Sequence, residues 1–491
     1  MSRIFVAGAG FSGLSTAACL AAAGHEVHVY EKNASAGGRA RQLQTPEGYT
    51  FDMGPSWYWM PDVFERFFQR FGYTPSDFYS LDLLDPAFEV VFANTTLKVP
   101  GHFSALPPLF DAIEAGAGNA LLKFMREAKF KYEVGMHDLV YKPGLSIREF
   151  VDVRLLKGMA RLQVFTSLGK HVRHYFRDPR LIALMEFPVL FLGAMPQNTP
   201  ALYSLMNYAG LNLGTWYPAG GFGTVVTAMQ KVAEAQGAIF HFSAPVERIN
   251  VRHDKVESVI VNGQPLACDA VVGTADYHHM ESLLAPEFRN YREDYWQKKT
   301  FAPSCLIYYI GVRKRIDKLL HHTLFFEEDL TQHAVDIYQN PRWPSRPLFY
   351  VCCPSRSDAT VAPPGHENLF LLMPVAPGLE DHPSVREKYF AAMLGRLERH
   401  AGQTILPDVD YKKSYCISDF ITDYHAYEGN AYGLANTLTQ TALLKPKVIN
   451  RKIKNLFYAG QLTVPGPGVP PAIISGQVAA DVLMRELPKI S

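Results

Sequence analysis

The sequence predicts a mixed α/β fold, in which a parallel sheet is assembled from separate parts of the chain and joined by a second sheet and a helical insert. Three observations predict this class. Apolar strand-like runs turn into helices at small-residue loops near residues 8, 274 and 460. Helical periodicity dominates residues 105–214, and residues 301–415 alternate strand-like segments with one long helical pattern over 383–401.

The first of these turns has the form of a βαβ unit. Residues 4–13 join a short apolar run to glycines at GxGxxG spacing, and the alanine and leucine content of 14–23 predicts a helix. A second apolar strand over 27–30 ends at Glu31. In a Rossmann-type dinucleotide site the acid at this place accepts hydrogen bonds from a ribose, which is the role we expect for Glu31.

The glycines of this unit have separate physical tasks. Gly8 allows the tight turn, Gly10 lets backbone amides approach a pyrophosphate at the helix N-terminus, and Gly13 lets the helix pack closely on the strand. GxGxxG alone is a weak signal, but here strand, helix and acid follow in the predicted order. Residues 37–41 and 51–55 add a second glycine pair with arginines, which favours FAD over NAD; a glycine-rich surface turn is the alternative.

The C-terminal region repeats the pattern of strand, loop and helix. Residues 455–472 contain an apolar strand and a Gly/Pro loop, and a closing helix is predicted over 472–487. We expect the loop amides to meet the ribityl and pyrimidine end of a flavin at a helix N-terminus. A proline-rich structural loop is the alternative.

The composition bears on partners and location. With 48 basic and 47 acidic residues the net charge is +1, so no strong field is available to recruit nucleic acid. Six scattered cysteines without CxxC spacing predict reduced thiols, and a first strand that begins at residue 4 leaves no room for a signal peptide, so we expect a cytoplasmic protein. The longest apolar stretch, 181–195, is too short and interrupted to span a bilayer.

Two apolar features have more than one interpretation. The aromatic run at 57–59 fits either the core or a wall around the flavin or its substrate. An apolar stripe at helical spacing fits the core or a membrane-surface helix. The stripe consists of Leu121, Phe124, Met125, Ala128 and Tyr132, opposite a charged face with Lys123, Arg126, Glu127 and Lys131.

A set of motifs that runs from the first strand to the last helix resembles the bacterial, non-plant type of phytoene desaturase, within the FAD-dependent amine oxidase superfamily. The motifs are GAGFSG, Glu31, GGRA, DMGP, YPAGGFGT, GTAD, DFITDYHAYEGNAYGL and AGQLTVPGPGVPPAIISG. The resemblance implies an FAD-dependent oxidoreductase of carotenoid biosynthesis that converts phytoene to lycopene or neurosporene. Gln461 departs from the family, whose members usually carry Asp there, so an amide replaces the carboxylate contact to the ribityl chain.

Other functions stay open beside this one. A desaturase or isomerase of a later or shorter carotenoid, an amine oxidase-like enzyme, and a peripheral lipid-binding flavoprotein are the alternatives. The resemblance implies an apolar carotenoid substrate, peripheral association with the cytoplasmic membrane, and a quinone or oxygen as electron acceptor. We expect no metal site, because the paired histidines, such as His321 and His322, lack a third-ligand context.

The resemblance also assigns residues. It implies that Arg148 and Glu149 are catalytic, with Glu149 as cation stabiliser and proton acceptor, although the family more often has Asp; a solvated helical turn is the alternative. Expected cofactor contacts are Gly8, Ala9, Gly10, Phe11, Ser12, Gly13, Glu31, Lys32, Gly38, Arg39, Gly54, Pro55, Ser56, Trp57, Val246, Gly460, Gln461, Gly468, Val469 and Pro470. Expected domain parts are FAD-binding at 1–80, 216–295 and 451–491, substrate-binding at 81–104 and 296–450, and a membrane-facing helical subdomain at 105–215.

Overall fold

The computed structural model describes residues 1–146, 149, 162–437 and 439–490 and has the α/β fold that the sequence predicts. Its strands, in chain order, are β1 (Arg3–Ala7), β2 (Glu26–Tyr30), β3 (Gln42–Gln44), β4 (Thr50–Asp52), β5 (Leu81–Leu83), β6 (Phe88–Phe92), β7 (Thr95–Val99), β8 (Trp216–Pro218), β9 (Ile239–His241), β10 (Val246–Arg252), β11 (Lys255–Val261), β12 (Gln264–Ala267), β13 (Ala270–Gly273), β14 (Ser304–Val312), β15 (His322–Phe325), β16 (Phe349–Cys352), β17 (Glu367–Val375), β18 (Val409–Tyr415) and β19 (Leu456–Tyr458).

Helices of widely different length connect these strands. In chain order they are α1 (Phe11–Ala22), α2 (Pro61–Gln69), α3 (Leu106–Ile113), α4 (Ala117–Val134), α5 (Leu168–Tyr175), α6 (Pro179–Glu186), α7 (Leu205–Asn207), α8 (Phe222–Ala235), α9 (Tyr277–Ser282), α10 (Glu293–Gln297), α11 (Leu330–Tyr338), α12 (Pro383–Ala401), α13 (Ile417–Tyr424) and α14 (Val469–Ile490). Two π-helical turns, Gly135–Leu139 and Tyr208–Asn212, and short 3₁₀ turns such as Phe187–Leu192 and Ala201–Ser204 complete the helical region.

A five-stranded parallel sheet forms the first layer, in the order β19, β13, β1, β2, β9. β1 lies between β2 and β13, with Ile4 opposite Val27 and Ala270, and all three residues are fully buried. Such continuous burial is typical of parallel strands covered on both faces. Helix α1 packs against α14 and α8, and Ser15 Oγ donates a hydrogen bond to the Ile473 carbonyl at 2.8 Å.

A seven-stranded mixed sheet forms the second layer, in the order β18, β14, β17, β16, β15, β6, β7. Strand β14, which lies between β18 and β17, is buried along its whole length, and its side chains alternate between two faces. Leu306 and Tyr308 pack with α12 residues such as Met393, whereas Cys305 and Ile307 join the core shared with the parallel sheet. The second face therefore points toward the interior between the two layers.

The helical region settles the interpretation of the apolar stripe. All five stripe residues of α4 are at most 4% exposed, so the core interpretation is confirmed. The expected charged face is wrong at Lys131, which is fully buried. No helix in the described part of the chain has the length and apolarity needed to cross a membrane. The strands of the parallel sheet come from 3–30, 239–273 and 456–458, and the domain boundaries stay a prediction.

Candidate functional site

A cavity of about 740 Å³ lies where the parallel sheet, the second sheet and the helical region meet. Four parallel strands end at it, because Ala7, Tyr30, Thr274 and Ala459 at or just beyond their carboxyl ends all line its wall. This edge is where open α/β sheets bind ligands. Residues of 135–142 and 162–206 extend the same cavity into the helical region.

The wall at the first helix is built to receive an anion. Gly10 caps the N-terminus of α1 without a side-chain hydrogen bond, and Gly10, Phe11 and Ser12 line the cavity. Amides of a first helical turn that lack such a cap can donate to phosphate oxygens. Gly38 approaches from the opposite side, and a Cβ there would lie 3.3 Å from the Gly10 Cα.

Glu31 lies at the end of β2, where the ribose is expected. Its side chain is 5% exposed, and its two carboxylate oxygens accept hydrogen bonds from the Ala9 backbone N–H at 2.8 Å and from Asn33 Nδ2 at 2.8 Å. These bonds fix the carboxylate at the cavity edge and leave lone pairs for further donors. Lys32 and Val246 line the same part of the wall.

Several buried polar atoms of cavity-lining residues have no hydrogen-bond partner in the described residues. Arg39 Nε and Asp276 Oδ2 are two of them. Burial raises the pKa of the Asp276 carboxyl, and the charge of Arg39 opposes that rise. Buried polar groups without partners usually mark a missing ligand or water, so the donor set fits the phosphates and polar edge of FAD.

The C-terminal loop closes the cofactor end. Gly460, Gly468, Val469 and Pro470 line the cavity beside the start of α14. With its amide oxygen turned toward Arg39, Gln461 accepts a hydrogen bond from Arg39 Nη2 at 3.0 Å. The amide therefore orients an arginine of the cofactor wall, which a carboxylate would do more strongly.

The structure places nearly all of the expected cofactor residues on this wall. Gly54, Pro55, Ser56 and Trp57 line it too, so the aromatic run contributes to the wall at Trp57. Ala9 and Gly13 are the exceptions. Ala9 holds Glu31 through its N–H, and a Cβ on Gly13 would lie 2.0 Å from the Gly8 carbonyl oxygen.

The structure describes one of the two expected catalytic residues. Arg148 lies outside the described residues. Glu149 is described, but it does not line the cavity: its carboxylate oxygens accept hydrogen bonds from the backbone N–H groups of Gly144, Leu145 and Ser146, each at 2.9 Å. Lys142, which does line the cavity, donates to the Glu149 carbonyl at 2.6 Å.

Sequence reasoning missed several residues of the wall. Tyr424 lies under two arginines, with the guanidinium carbons of Arg39 and Arg41 at 5.1 and 5.4 Å from its ring centroid. Asp276 caps α9 by accepting from the His278 N–H at 3.0 Å. Both residues belong to motifs that carry the family resemblance, DFITDYHAYEGNAYGL and GTAD, which was the available signal.

A further polar cluster lies behind this wall. One ring nitrogen each of His321 and His322 and the Cys352 sulfur lie within 4.8 Å of one another, and all three residues are buried. Cys352 is a candidate third metal ligand beside the two histidines. The sequence spacing did not reveal it, because Cys352 lies opposite His322 only through the pairing of β15 with β16. Tyr350 and Ser357 hydroxyls hold the two Nδ1 atoms at 2.6 and 2.9 Å.

Comparison with known proteins places this fold and site among flavoenzymes. A family model described as flavin containing amine oxidoreductase matches residues 11–484. The carotenoid 3,4-desaturase of Haloarcula japonica is 40% identical over 99% of this chain and 98% of its own length. The zeta-carotene-forming phytoene desaturase of Myxococcus xanthus is 32% identical over 98% of this chain and 94% of its own.

Solved structures extend the similarity of fold. Putrescine oxidase bound to putrescine superposes with a TM-score of 0.62 at 14% identity, covering 99% of both chains. An oxidoreductase from Methanosarcina mazei superposes with a TM-score of 0.61 at 17% identity, covering 98% of this chain and all of the other. At these identities the similarity concerns the fold alone.

Proposed function

Because the chain belongs to the flavin-containing amine oxidoreductase family and is an FAD-dependent carotenoid desaturase, we propose that it desaturates an acyclic C40 carotenoid that lies along the apolar part of the cavity. The observation that carries the proposal is the continuity of the cavity. One wall joins the glycine loops of the cofactor end to apolar side chains of the helical region, including Leu139, Val140, Leu162 and Met206.

The chemistry of that wall favours a polyene over an amine. Among the described residues of 135–142, 162–165 and 200–206, those on the wall include Lys142 and no carboxylate. An amine substrate would lack a carboxylate partner among these described wall residues. A long hydrocarbon needs the opposite, an extended apolar surface from which water is excluded.

Each part of the wall has a task in such a reaction. Bound FAD would supply the hydride acceptor for an allylic C–H bond of the substrate. Gly10, Glu31, Arg39 and the loop around Gly460 would hold it, while Trp57 and its neighbours exclude water from the reacting carbons. Glu149 is the proposed proton acceptor, which would complete the double bond by taking a proton from the adjacent carbon. This role requires its carboxylate to leave the backbone N–H groups of the 144–146 loop and to reach the cavity.

Two substrates are distinguished by the position of the new bond. The 40% identity with a carotenoid 3,4-desaturase favours desaturation at C3–C4 of an already conjugated carotenoid. The conversion of phytoene to lycopene or neurosporene, which the motifs imply, is the second candidate and is supported by 32% identity with a zeta-carotene-forming phytoene desaturase.

Anaerobic mixing of the FAD-loaded protein with lycopene or with phytoene tests both. We expect lycopene to bleach the oxidised flavin spectrum in proportion to a product with a longer conjugated system. Bleaching by phytoene and not by lycopene would select the second candidate. If neither carotenoid nor an intermediate such as zeta-carotene reduces the flavin, the protein is a lipid-binding flavoprotein rather than a desaturase of these substrates.

We also propose that the mouth of the cavity docks on a membrane surface, from which a carotenoid can enter. Phe165 is 87% exposed although it lines the cavity, and Leu145 and Leu444 are 37% and 55% exposed. We expect Phe165→Ser to reduce sedimentation with liposomes by several fold while FAD content is unchanged. The matched control is Leu406→Ser, because Leu406 is 56% exposed and away from the cavity wall. Equal binding by both variants would remove Phe165 from the docking surface.

The electron acceptor is proposed to be oxygen or a membrane quinone. Stopped-flow reoxidation of the dithionite-reduced protein distinguishes the two acceptors. The true acceptor must restore the spectrum of oxidised flavin at a rate at least equal to the turnover rate. A rate that rises with a liposome-borne quinone and not with dissolved oxygen selects the quinone.

A further inference from the structure

Lys445 is a buried lysine beside the cofactor end of the cavity. It follows the short turn Ala442–Leu444 and is 2% exposed, and its Nζ has no hydrogen-bond partner within the described part of the chain. Asn436, which lines the cavity and is 3% exposed, has an Oδ1 that is also without a partner there. Burying an ammonium group is unfavourable unless it is paired and hydrogen-bonded.

The position of Lys445 relative to the cavity follows from Gly466. A Cβ on Gly466 would lie 3.3 Å from Asn436 Oδ1 and 3.3 Å from Lys445 Nζ. The residues on either side of this glycine, Pro465 and Pro467, line the cavity. The loop around Gly466 therefore lies between Lys445 and the cavity in this part of the described structure. A charge this close to the cavity acts strongly on a ligand from which water is excluded.

Burial, followed by the weaker effect of the Lys299 charge, lowers the pKa of Lys445 to about 7. No carboxylate among the described residues opposes this shift. Lys131, the other lysine that is buried in the described part of the chain, differs, because its Nζ donates to Gln163 Oε1 at 2.9 Å and to the Ala201 carbonyl at 3.1 Å. The contrast indicates that the partner of Lys445 is not among the described residues.

We propose that Lys445 stabilises the anionic reduced form of the bound flavin, acting across the Gly466 loop. A hydride brings two electrons and a proton to a neutral oxidised ring, so the reduced ring gains one negative charge, which a nearby ammonium group offsets. The pyrophosphate, the other anion of FAD, has its own donors at Gly10 and Arg39. Lys445 is therefore an electrostatic residue that sets the redox equilibrium, and this role rests on FAD binding and not on the identity of the carotenoid.

The reduction potential of the FAD-loaded protein tests this role. In Lys445→Met we expect the reduced form to be disfavoured by at least about tenfold, which is about 30 mV for a two-electron couple. Affinity for oxidised FAD should stay within about threefold of wild type, since a neutral ring gains little from the charge. Lys445→Arg should restore most of the potential, and the control Lys123→Met, at an exposed lysine of α4 away from the cavity wall, should leave it near wild type.

The remaining outcomes overturn the proposal. A potential that is unchanged in Lys445→Met rejects it, and a weaker affinity for oxidised FAD with an unchanged potential assigns the lysine to a phosphate instead. If the variant does not retain FAD, the near-ultraviolet spectrum of the anaerobically reduced wild type decides, because anionic and neutral reduced flavins absorb differently. A neutral reduced flavin in the wild type would reject the proposal without any variant.

Discussion

The two ends of the cavity are made in different ways. The cofactor end consists largely of backbone, where Gly8, Gly38 and Gly460 adopt positive φ angles of 111°, 55° and 114° and bring loops close to the ligand. The substrate end consists of side chains from helices and turns of the helical region. A backbone cradle tolerates no added atoms, whereas an apolar side-chain wall can repack around a change of volume. An added side chain should therefore impair ligand binding more at the cofactor end than at the substrate end.

The largest expected effect is at Gly10. A Cβ there has no protein atom nearer than the Gly38 Cα at 4.0 Å, so a larger side chain fits the fold and fills the space meant for the pyrophosphate. We expect Gly10→Val to weaken FAD binding by at least about 100-fold while the protein stays folded. Flavin content and circular dichroism of the purified variant measure the two quantities.

Two other glycines control this experiment. Gly395→Val on α12 should keep FAD, because a Cβ there meets only Arg399 Nη1 at 3.8 Å. Gly13→Ala should instead damage the fold, since its Cβ would lie 2.0 Å from the Gly8 carbonyl oxygen. Full flavin content in Gly10→Val would show that the pyrophosphate does not bind against the first turn of α1.

The cofactor end could be predicted because its signals are local. Gly8, Gly10, Gly13 and Glu31 lie within one βαβ unit, and the physical demands of a phosphate on a helix N-terminus select their spacing. Prediction of the FAD cofactor and of the α/β class from these signals is confirmed by the family match. The predicted contacts themselves stay predictions until a ligand is bound.

Glu149 lies in the chain between Lys142 and Leu162, two wall residues of the substrate end, and its expected effect is the next largest. As a general base it should give a loss of about 100-fold in flavin reduction when replaced by Gln. Gln keeps an oxygen that can accept from the N–H groups of Gly144, Leu145 and Ser146, so the loop should stay ordered. Single-turnover reduction by the carotenoid substrate is the measurement.

Glu114→Gln is the matched control for this variant. Its carboxylate also accepts two backbone N–H groups, from Arg177 at 2.9 Å and from Asp178 at 2.7 Å, and it does not line the cavity. Both variants should keep FAD. If Glu149→Gln reduces its flavin within about threefold of wild type, as a surface acid would, Glu149 orders the loop and takes no part in proton transfer.

At the substrate end the effect of added volume should be smaller. Leu202 lines the cavity and is half-buried, so Leu202→Trp should narrow the apolar wall without touching the cofactor loops. We expect turnover to fall by roughly tenfold, because neighbouring side chains can partly repack, and flavin content to be unchanged. Leu122→Trp is the control, since Leu122 is 42% exposed on α4 and away from the wall. Equal turnover in both variants would place the carotenoid elsewhere.

The substrate end escaped prediction because its decisive contacts join distant segments. The pattern of α4 assigned Lys131 to a solvated face, yet turns more than thirty residues away bury it. Outside the substrate end the same reason applies to two more pairs: Cys352 lies opposite His322 by strand pairing, and Lys445 lies beside Gly466 at the cofactor end. The sequence spacing of neither pair predicts its contact. Hydrophobic periodicity shows which side chains share a face of one helix or strand. Whether that face is buried depends on the other segments that pack against it.

Lys131 supports the substrate wall from behind, and removing it should have the smallest effect. Its Nζ donates to the Ala201 carbonyl and to Ser204 Oγ, both at 3.1 Å, next to Leu202 on the cavity wall. Lys131→Met should lower turnover by about threefold through a looser wall, with FAD content unchanged. Lys129→Met, on the exposed side of the same helix, should leave turnover at the wild-type rate.

The pH dependence of stability separates the charge of Lys131 from its packing. Burial lowers the pKa of Lys131 to about 8 from its ordinary 10.5, so between these values the unfolded chain binds more protons than the folded protein. Stability that depends on this group therefore rises with pH across that window, as the cost of burying the ammonium disappears. Lys131→Met has no amine to titrate at this position. The melting temperature of the wild type minus that of the variant should therefore increase between pH 8 and pH 10. A constant difference across that range would mean that Lys131 is buried without a cost to its charge.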